Sequence, residues 1–498
     1  MASNTSRLVL MRSVATPRWF STATATAAKD KEASLYWKLS ALRGTEGDVA
    51  ETLDKWVKEG KSVKRFDMIS CVNQLRRFKK YKHAAQIYEW MEKSKNDLNN
   101  ADRAIRIDLL AKTEGIAQAE NYFNSLQESA KTNKTYGALL NCYCKENMLD
   151  KAVELFKKLK ELNFVSSALS YNNMISLYLR VGQPEKVPSL VHEMEEKDIP
   201  ADLYTYNLLM NSYASVKDFE AVEQVLDKMK KRGVERDWFT YGNLANIYVD
   251  AGHTKKANYA LQKLEQNKNL HDPEAFRMLI NLYARTSNLE GVNRAWESLK
   301  LAHPKINNKS YLIMLLALSK LGDVAGLEKC FKEWESGCST YDVRLSNVML
   351  ESYLNREIIE EANLLSESIA KRGPELKLKT LDLFMKFYLK KHQLDLAMKY
   401  LDMGASKADP ENNKWFPTEE TITMFLEYFE EVKDVDSAEK FCETMRKISR
   451  LDSKIYDSLL RTYIAAGKEE PLMSERMKDD GIEISSETEK LLQKVCPK

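Results

Sequence analysis

Apolar and polar positions alternate along this chain with two nested periods. Within Ala168 to Asp202, Leu169, Tyr171, Met174, Ile175 and Tyr178 mostly recur at spacings of three and four until Gly182 interrupts them. Val187, Leu190, Val191 and Met194 then resume the same spacing, up to the dipeptide Ile199-Pro200. Each run predicts an amphipathic helix of about twelve residues, since 3.6 residues per turn puts those positions on one face. The glycine separates the two helices, and the proline, lacking an amide hydrogen, is expected to stop the second.

The longer period is 35 residues. Tyr136, Tyr171, Tyr206, Tyr241, Phe276 and Tyr311 fall at that constant interval, as do Tyr143, Tyr178, Tyr213, Tyr248 and Tyr283, with Tyr353 and Tyr388 rejoining after Leu318. Repeats in this register start at Asn133, Ala168, Leu203, Trp238, Pro273, Asn308, Val343 and Leu378. Looser repeats precede them near Arg65, Asn100 and Asp30, and others follow from Glu419 and Ser453. One helical hairpin cannot cover its own apolar stripe, so it must stack on its neighbours. The expected fold is all-α: a right-handed superhelical solenoid of about thirteen stacked antiparallel helix pairs, whose functional surface is a groove. The periodic tyrosines Tyr206 and its fellows are expected to pack between helices.

This divides the chain into a leader at 1–28, degenerate repeats at 30–132, a regular array at 133–377, less regular repeats at 378–488 and a tail at 489–498. Composition narrows the function. Seven cysteines are scattered with no C-x-x-C, which excludes a disulfide framework and the common zinc patterns. No apolar run is long enough to span a membrane. Six scattered histidines, the absence of H-x-E and the lack of room for a catalytic domain after Ser453 argue against an enzyme, and no cofactor is implied. Residues 1–28 hold Arg7, Arg12 and Arg18, many hydroxyl residues and no acid, the composition of a transit peptide for mitochondria, with plastids the alternative. The whole chain nets +3, so without the leader it nets zero. A polyanionic partner must then be met by a local stripe of charge. The thirteenth position of successive repeats supplies one in Lys145, Arg180, Arg285, Lys320 and Lys390, spaced as phosphates along a single strand require. The same residues would complement a helix dipole, and both readings stand.

The segments Leu203–Met210 and Val225–Gly233 resemble the pentatricopeptide repeat of plant organelle RNA-binding proteins, and the 35-residue step separates them from the 34-residue tetratricopeptide repeat. Leu53–Gly60, Arg76-Arg77-Phe78 and Tyr88-Glu89-Trp90-Met91 are similar to the opening of a mitochondrial subgroup without editing domains. The resemblance implies that the fifth and last residues of a repeat read one base edge, while second residues of adjacent repeats sandwich its faces. By position the pairs are Gly137/Ser167, Asn172/Asp202, Asn207/Asp237, Gly242/Asp272, Arg277/Asn307, Leu312/Asp342 and Asn347/Lys377. Asn172/Asp202 and Asn207/Asp237 match the family pairing associated with pyrimidines, and Leu169, Tyr204 and Phe239 are the stacking residues around them. Local backbone bonding by the two asparagines is the competing reading. Three functions are thereby implied: an organellar single-stranded RNA-binding protein in RNA metabolism or translation, a structural component of the mitochondrial ribosome, or a protein-binding scaffold without RNA. A monomer located in the mitochondrial matrix is expected.

Overall fold

The structure, a computed structural model, describes residues 35–42, 48–61, 63–94, 98–267, 270–372, 378, 380–406 and 415–496. The leader, the polar insertion at 409–413, Lys377 and Lys379 lie outside them. Among the described residues all regular structure is helical: thirteen helix pairs and one closing helix. The regular repeats hold their first helices at Asn133–Lys145, Ala168–Arg180, Leu203–Ser215, Trp238–Asp250, Pro273–Arg285, Asn308–Leu321 and Val343–Asn355. Each is followed by a second helix, such as Leu149–Glu161, Val187–Glu196 and Phe219–Lys231. No helix is long and apolar enough to cross a membrane among the described residues.

The chain divides into two compact units, residues 1–235 and 236–498. This boundary falls between the Leu203 and Trp238 repeats, where the sequence marks no break. In the first unit, the first helices of the Asn100, Asn133, Ala168 and Leu203 repeats pack in succession. In the second, the same stacking runs from the Trp238 repeat to the closing helix Ser486–Val495. That last helix corrects the expected tail at 489–498, because Leu492 and Val495 are buried in the core. It covers the apolar face that the helix Ser453–Ala466 would otherwise leave to water.

Two periodic devices set the hairpin geometry. Position 15 of eight consecutive repeats is left-handed whatever its side chain: Asn147, Gly182, Lys217, Gly252, Ser287, Gly322, Glu357 and His392 have φ between 53° and 76°. The amide after it reaches back to the carbonyl of position 11, as in Gln183 to Tyr178 (2.9 Å), Asp218 to Tyr213 (2.9 Å) and His253 to Tyr248 (2.8 Å). This six-to-one bond satisfies a helix-terminal carbonyl and turns the chain sharply into the second helix. The second helix ends likewise. Asp198 is left-handed and Ile199 donates to the Met194 carbonyl at 3.1 Å, so the helix closes at Glu196 before Pro200 is reached. The proline therefore does not stop the helix, as its sequence position suggested.

The tyrosines at position 4 fill the seams. Tyr136, Tyr171, Tyr206 and Phe276 are buried, and Tyr171 meets Phe156 edge-on with ring centroids 5.2 Å apart. The Tyr171 hydroxyl donates to Glu193 (3.1 Å) and that of Tyr311 to Glu333 (2.9 Å), tying first helix to second within a repeat. Adjacent repeats are stapled by ion pairs between second helices, including Lys160–Glu193 (3.0 Å) and Lys228–Glu195 (2.7 Å). The looser N-terminal repeats have a dense core as well, with Leu39, Leu53, Val72, Leu75, Ile87 and Tyr88 fully buried.

Candidate nucleic-acid interface

Asn172 lies in the second turn of the helix Ala168–Arg180 and is 3% exposed. Its Nδ2 donates to Asp202 Oδ1 at 3.2 Å, and its Oδ1 lies 2.8 Å from the Thr205 hydroxyl. Thr205 is position 3 of the next repeat, so one asparagine closes the seam between two hairpins. The fifth and last residues of the Ala168 repeat, 30 positions apart, are thereby brought into direct contact, with Asp202 itself exposed. Tyr204 is half-buried beside them, its Oη 3.4 Å from the hydroxyl of Ser176, one turn beyond Asn172. Leu169 is 68% exposed, an unusual placing for leucine on a helix with this much buried surface. Asn207 is buried, and its Nδ2 donates to the Leu203 carbonyl at 2.8 Å, the backbone bonding that competed with base reading. In the second unit, Phe239 is half-buried and edge-on to Trp238.

The last position of the repeat caps the helix that follows it. Asp202, Asp237, Asp272, Asn307 and Asp342 each cap the following first helix, accepting from the amides of Thr205 (2.7 Å), Thr240 (2.8 Å), Glu274 (2.9 Å), Ser310 (3.0 Å) and Arg344 (3.1 Å). Ser167 forms no such side-chain cap bond. Capping alone accounts for an aspartate or asparagine at this place, since those side chains satisfy orphan amides at a helix start. The residue type therefore does not by itself indicate base recognition.

At the Pro273 and Asn308 repeats the equivalent positions are occupied by one another. Arg277, 6% exposed, pairs with Glu274 at 2.7 Å and donates to Ser310 at 2.9 Å, while Glu274 also holds Lys309 at 2.6 Å. Burial pushes the Glu274 carboxyl up, but the hydrogen bonds and charges of Arg277 and Lys309 outweigh it and hold it low. Position 5 bonds to position 3 of the next repeat here, as at Asn172, but through an arginine that leaves no amide for a base edge.

The basic thirteenth positions split into two groups. Arg180 donates to Asn147 Oδ1 (3.0 Å) and to the Cys144 carbonyl, closing the helix end of the preceding repeat. Arg285 donates to Asn246 Oδ1 (2.5 Å) and pairs with Asp250. Lys145 sits 3.4 Å from Asp108. These three are staples between repeats, a role neither the phosphate reading nor the helix-dipole reading anticipated. Lys320 and Lys390 are exposed and form no ion pair among the described residues.

Counting by register from Asn133 passed over residues further upstream. Lys112 is the thirteenth residue from Asn100, and its Nζ lies 2.5 Å from Asp108 Oδ2, with Arg76 at 3.4 Å from the same oxygen. A charge count would have found them, since residues 61–112 carry thirteen lysines and arginines against six aspartates and glutamates.

Five of the seven cysteines are buried. Burial pushes Cys71 up to about 11 and Cys142, Cys144, Cys330 and Cys442 up to about 12, so none is a thiolate at neutral pH. No group of three or more metal-ligating side chains occurs among the described residues.

The PPR repeat family model matches residues 166–215 and 202–250, and the PPR repeat model residues 134–164. Two mitochondrial pentatricopeptide repeat-containing proteins of Arabidopsis thaliana are 42% and 44% identical to this chain, each over 94% of it and over 87% and 93% of their own lengths. The large ribosomal subunit protein mL101 of Arabidopsis thaliana is 41% identical over 93% of this chain and 95% of its own. With its hairpins in fixed 35-residue register and near-full-length relatives of this kind, the chain belongs to the pentatricopeptide repeat family.

Proposed function

We propose that this protein binds single-stranded RNA in mitochondria, as a monomer acting in RNA metabolism or translation. The carrying observation is the cluster of Asn172 and Asp202, in contact with each other and flanked by the exposed Leu169 and the half-buried Tyr204. With the buried Asn172 amide spent on Asp202 and Thr205, the exposed Asp202 carboxylate that it holds is the group offered to a base edge, and the two apolar surfaces beside it offer stacking, which contributes roughly 1–3 kcal/mol per base. Asn207 in the first unit, and Asp237 and Phe239 in the second, are the further residues proposed to meet a base. Uracil is the base assigned in each case. Lys320 and Lys390 are assigned to phosphates, whereas Lys145, Arg180 and Arg285 serve first as staples between repeats. The relatives' mitochondrial names support the compartment. Two reading positions are too few to select one transcript, so most contacts must be to the backbone of the strand.

A second reading, a structural component of the mitochondrial ribosome, is favoured by the near-full-length likeness to mL101. Crosslinking in intact mitochondria followed by sequencing of the recovered RNA separates the two. Messenger fragments whose recovery falls with Asn172→Ala and Asn207→Ala support the first reading. Co-sedimentation with ribosomes that survives both changes supports the second, and absence of RNA overturns both in favour of a protein scaffold.

A further inference from the structure

The second helix of the Ala168 repeat starts late. Its neighbours Leu149–Glu161 and Phe219–Lys231 have thirteen residues, whereas here Pro184–Lys186 forms a 3₁₀ turn and the α-helix Val187–Glu196 has ten. Pro188 has no amide to offer the Pro184 carbonyl, which takes that of Val187 instead, and the turn tightens. Beside this turn a groove runs along the helix Leu149–Glu161, formed by two joined clefts of about 360 and 450 Å³ that share Val153, Lys157, Tyr178 and Lys186. The helix borders it from Leu149 to Lys160, about 17 Å at the helical rise.

The floor is apolar and the rim is charged. Phe156 and Met174 are buried beneath it, Tyr178 and Leu190 are half-buried, and Val153 stands 41% exposed where the two clefts meet. Asp150 and Glu154 line one cleft only, at the Leu149 end. Lys157 and Lys186, from the two sides of the groove, are exposed and form no ion pair among the described residues. Farther along, Lys160 and Glu193 neutralise each other at 3.0 Å. The Tyr178 hydroxyl forms no hydrogen bond among the described residues either. Tyr283, at the same position of the Pro273 repeat, donates to Glu265 (2.6 Å), but the residue equivalent to Glu265 beside Tyr178 is Lys160, itself a donor. Such a groove does not suit RNA, because Asp150 and Glu154 repel a phosphate chain. It suits an amphipathic helix, whose apolar face fills the floor and whose flanks present opposite charges to the rim.

We propose that this groove docks an amphipathic helix of about three turns from a partner protein, with apolar side chains over Val153 and Leu190, acids toward Lys157 and Lys186, and a base toward Asp150 and Glu154. The groove involves none of the residues proposed above to meet RNA, and the proposal holds whether or not the chain binds RNA.

The test is fluorescence anisotropy of the full chain with three synthetic helical peptides of about twelve residues, alike in a stripe of leucines at spacings of three and four. One carries glutamates along one half and lysines along the other, the second glutamates throughout, the third lysines throughout. The parent chain is expected to bind the mixed peptide about tenfold tighter than either of the others. Lys157→Glu with Lys186→Glu should reverse that order, so that the all-lysine peptide binds best, and Val153→Glu should weaken all three. Lys157→Gln with Lys186→Gln, a milder change, should remove the preference for the mixed peptide over the all-lysine one. Circular dichroism establishes that each variant is folded. Equal binding of the three peptides by the parent, an order unmoved by the lysine changes, or no peptide binding at all overturns the proposal. A dimer in sedimentation that Val153→Glu dissolves assigns the groove to a second copy, and a loss of uracil-rich RNA binding in the lysine variants assigns it to RNA; either overturns it too.

Discussion

Lys217 is held at φ 62° between two helices, in a conformation that glycine adopts at the same place in the Ala168 and Trp238 repeats. The left-handed region costs an L-residue roughly 1–2 kcal/mol, because its Cβ approaches the following carbonyl oxygen. Glycine escapes this but loses about 0.5–1 kcal/mol through its freer unfolded chain. Lys217 is exposed, so its side chain sets little against the difference. Lys217→Gly is therefore expected to stabilise the first unit by about 0.5–1 kcal/mol. Ser287, Glu357 and His392, with φ of 56°, 61° and 53°, occupy the same position in the second unit, and their replacement by glycine should act in the same direction. Sites a full repeat apart share no partners and should add. The assay is urea unfolding followed by far-ultraviolet circular dichroism, with hydrogen exchange of the Asp218 amide as a local reading, because repeat arrays need not unfold in one step. Gly252→Ala, with no atom within 4 Å of the new Cβ, isolates the backbone cost and should destabilise by about 1 kcal/mol. Should Lys217→Gly instead destabilise by about 1 kcal/mol, as glycine does inside a helix, the left-handed geometry would not be what the turn demands.

Tyr171→Phe removes only the hydroxyl bonded to Glu193 and should cost about 0.5–1.5 kcal/mol in the same unfolding assay, whereas Tyr171→Ala also opens the seam against Phe156 and should cost about 3–5 kcal/mol. Equal losses from the two would mean that the ring does not pack. Asp108 gives a pH test. Burial raises its carboxyl, but the Lys112 hydrogen bond and the charges of Lys112, Lys145 and Arg76 outweigh it and hold the carboxyl below its ordinary range. A carboxylate lowered in the folded state contributes stability that is fully present above its unfolded value, near 4, and is lost as pH falls through the folded value. The stability difference between the parent chain and Asp108→Asn should therefore shrink on acidification from about pH 6 to about pH 3 in thermal melts. A difference that stays constant over that range would exclude the ion-pair origin.

The helical period and the 35-residue step were enough to place every hairpin of the regular array, because a pattern that buries one face per helix admits only one stacking register. The packing role of Tyr171 and Tyr206 followed from the same pattern. Sequence also marked Gly182 as a turn, but it gave no sign that Lys217, Glu357 and His392 adopt the same backbone, since only the neighbouring helices force them there. Which of the candidate residues are already engaged was decided by contacts between repeats. Asn172 is occupied by Asp202 and Thr205, Arg277 by Glu274 and Ser310, and Arg180 by the helix end before it. Apart from Glu274, one turn before Arg277 on the same helix, those partners stand 30 to 36 residues away, so nothing local in the chain announces them. The gathering of Arg76, Lys112 and Lys145 on Asp108 has the same origin. One dimension fixes which residues share a position, but three dimensions decide which of them are already engaged and which remain for a partner.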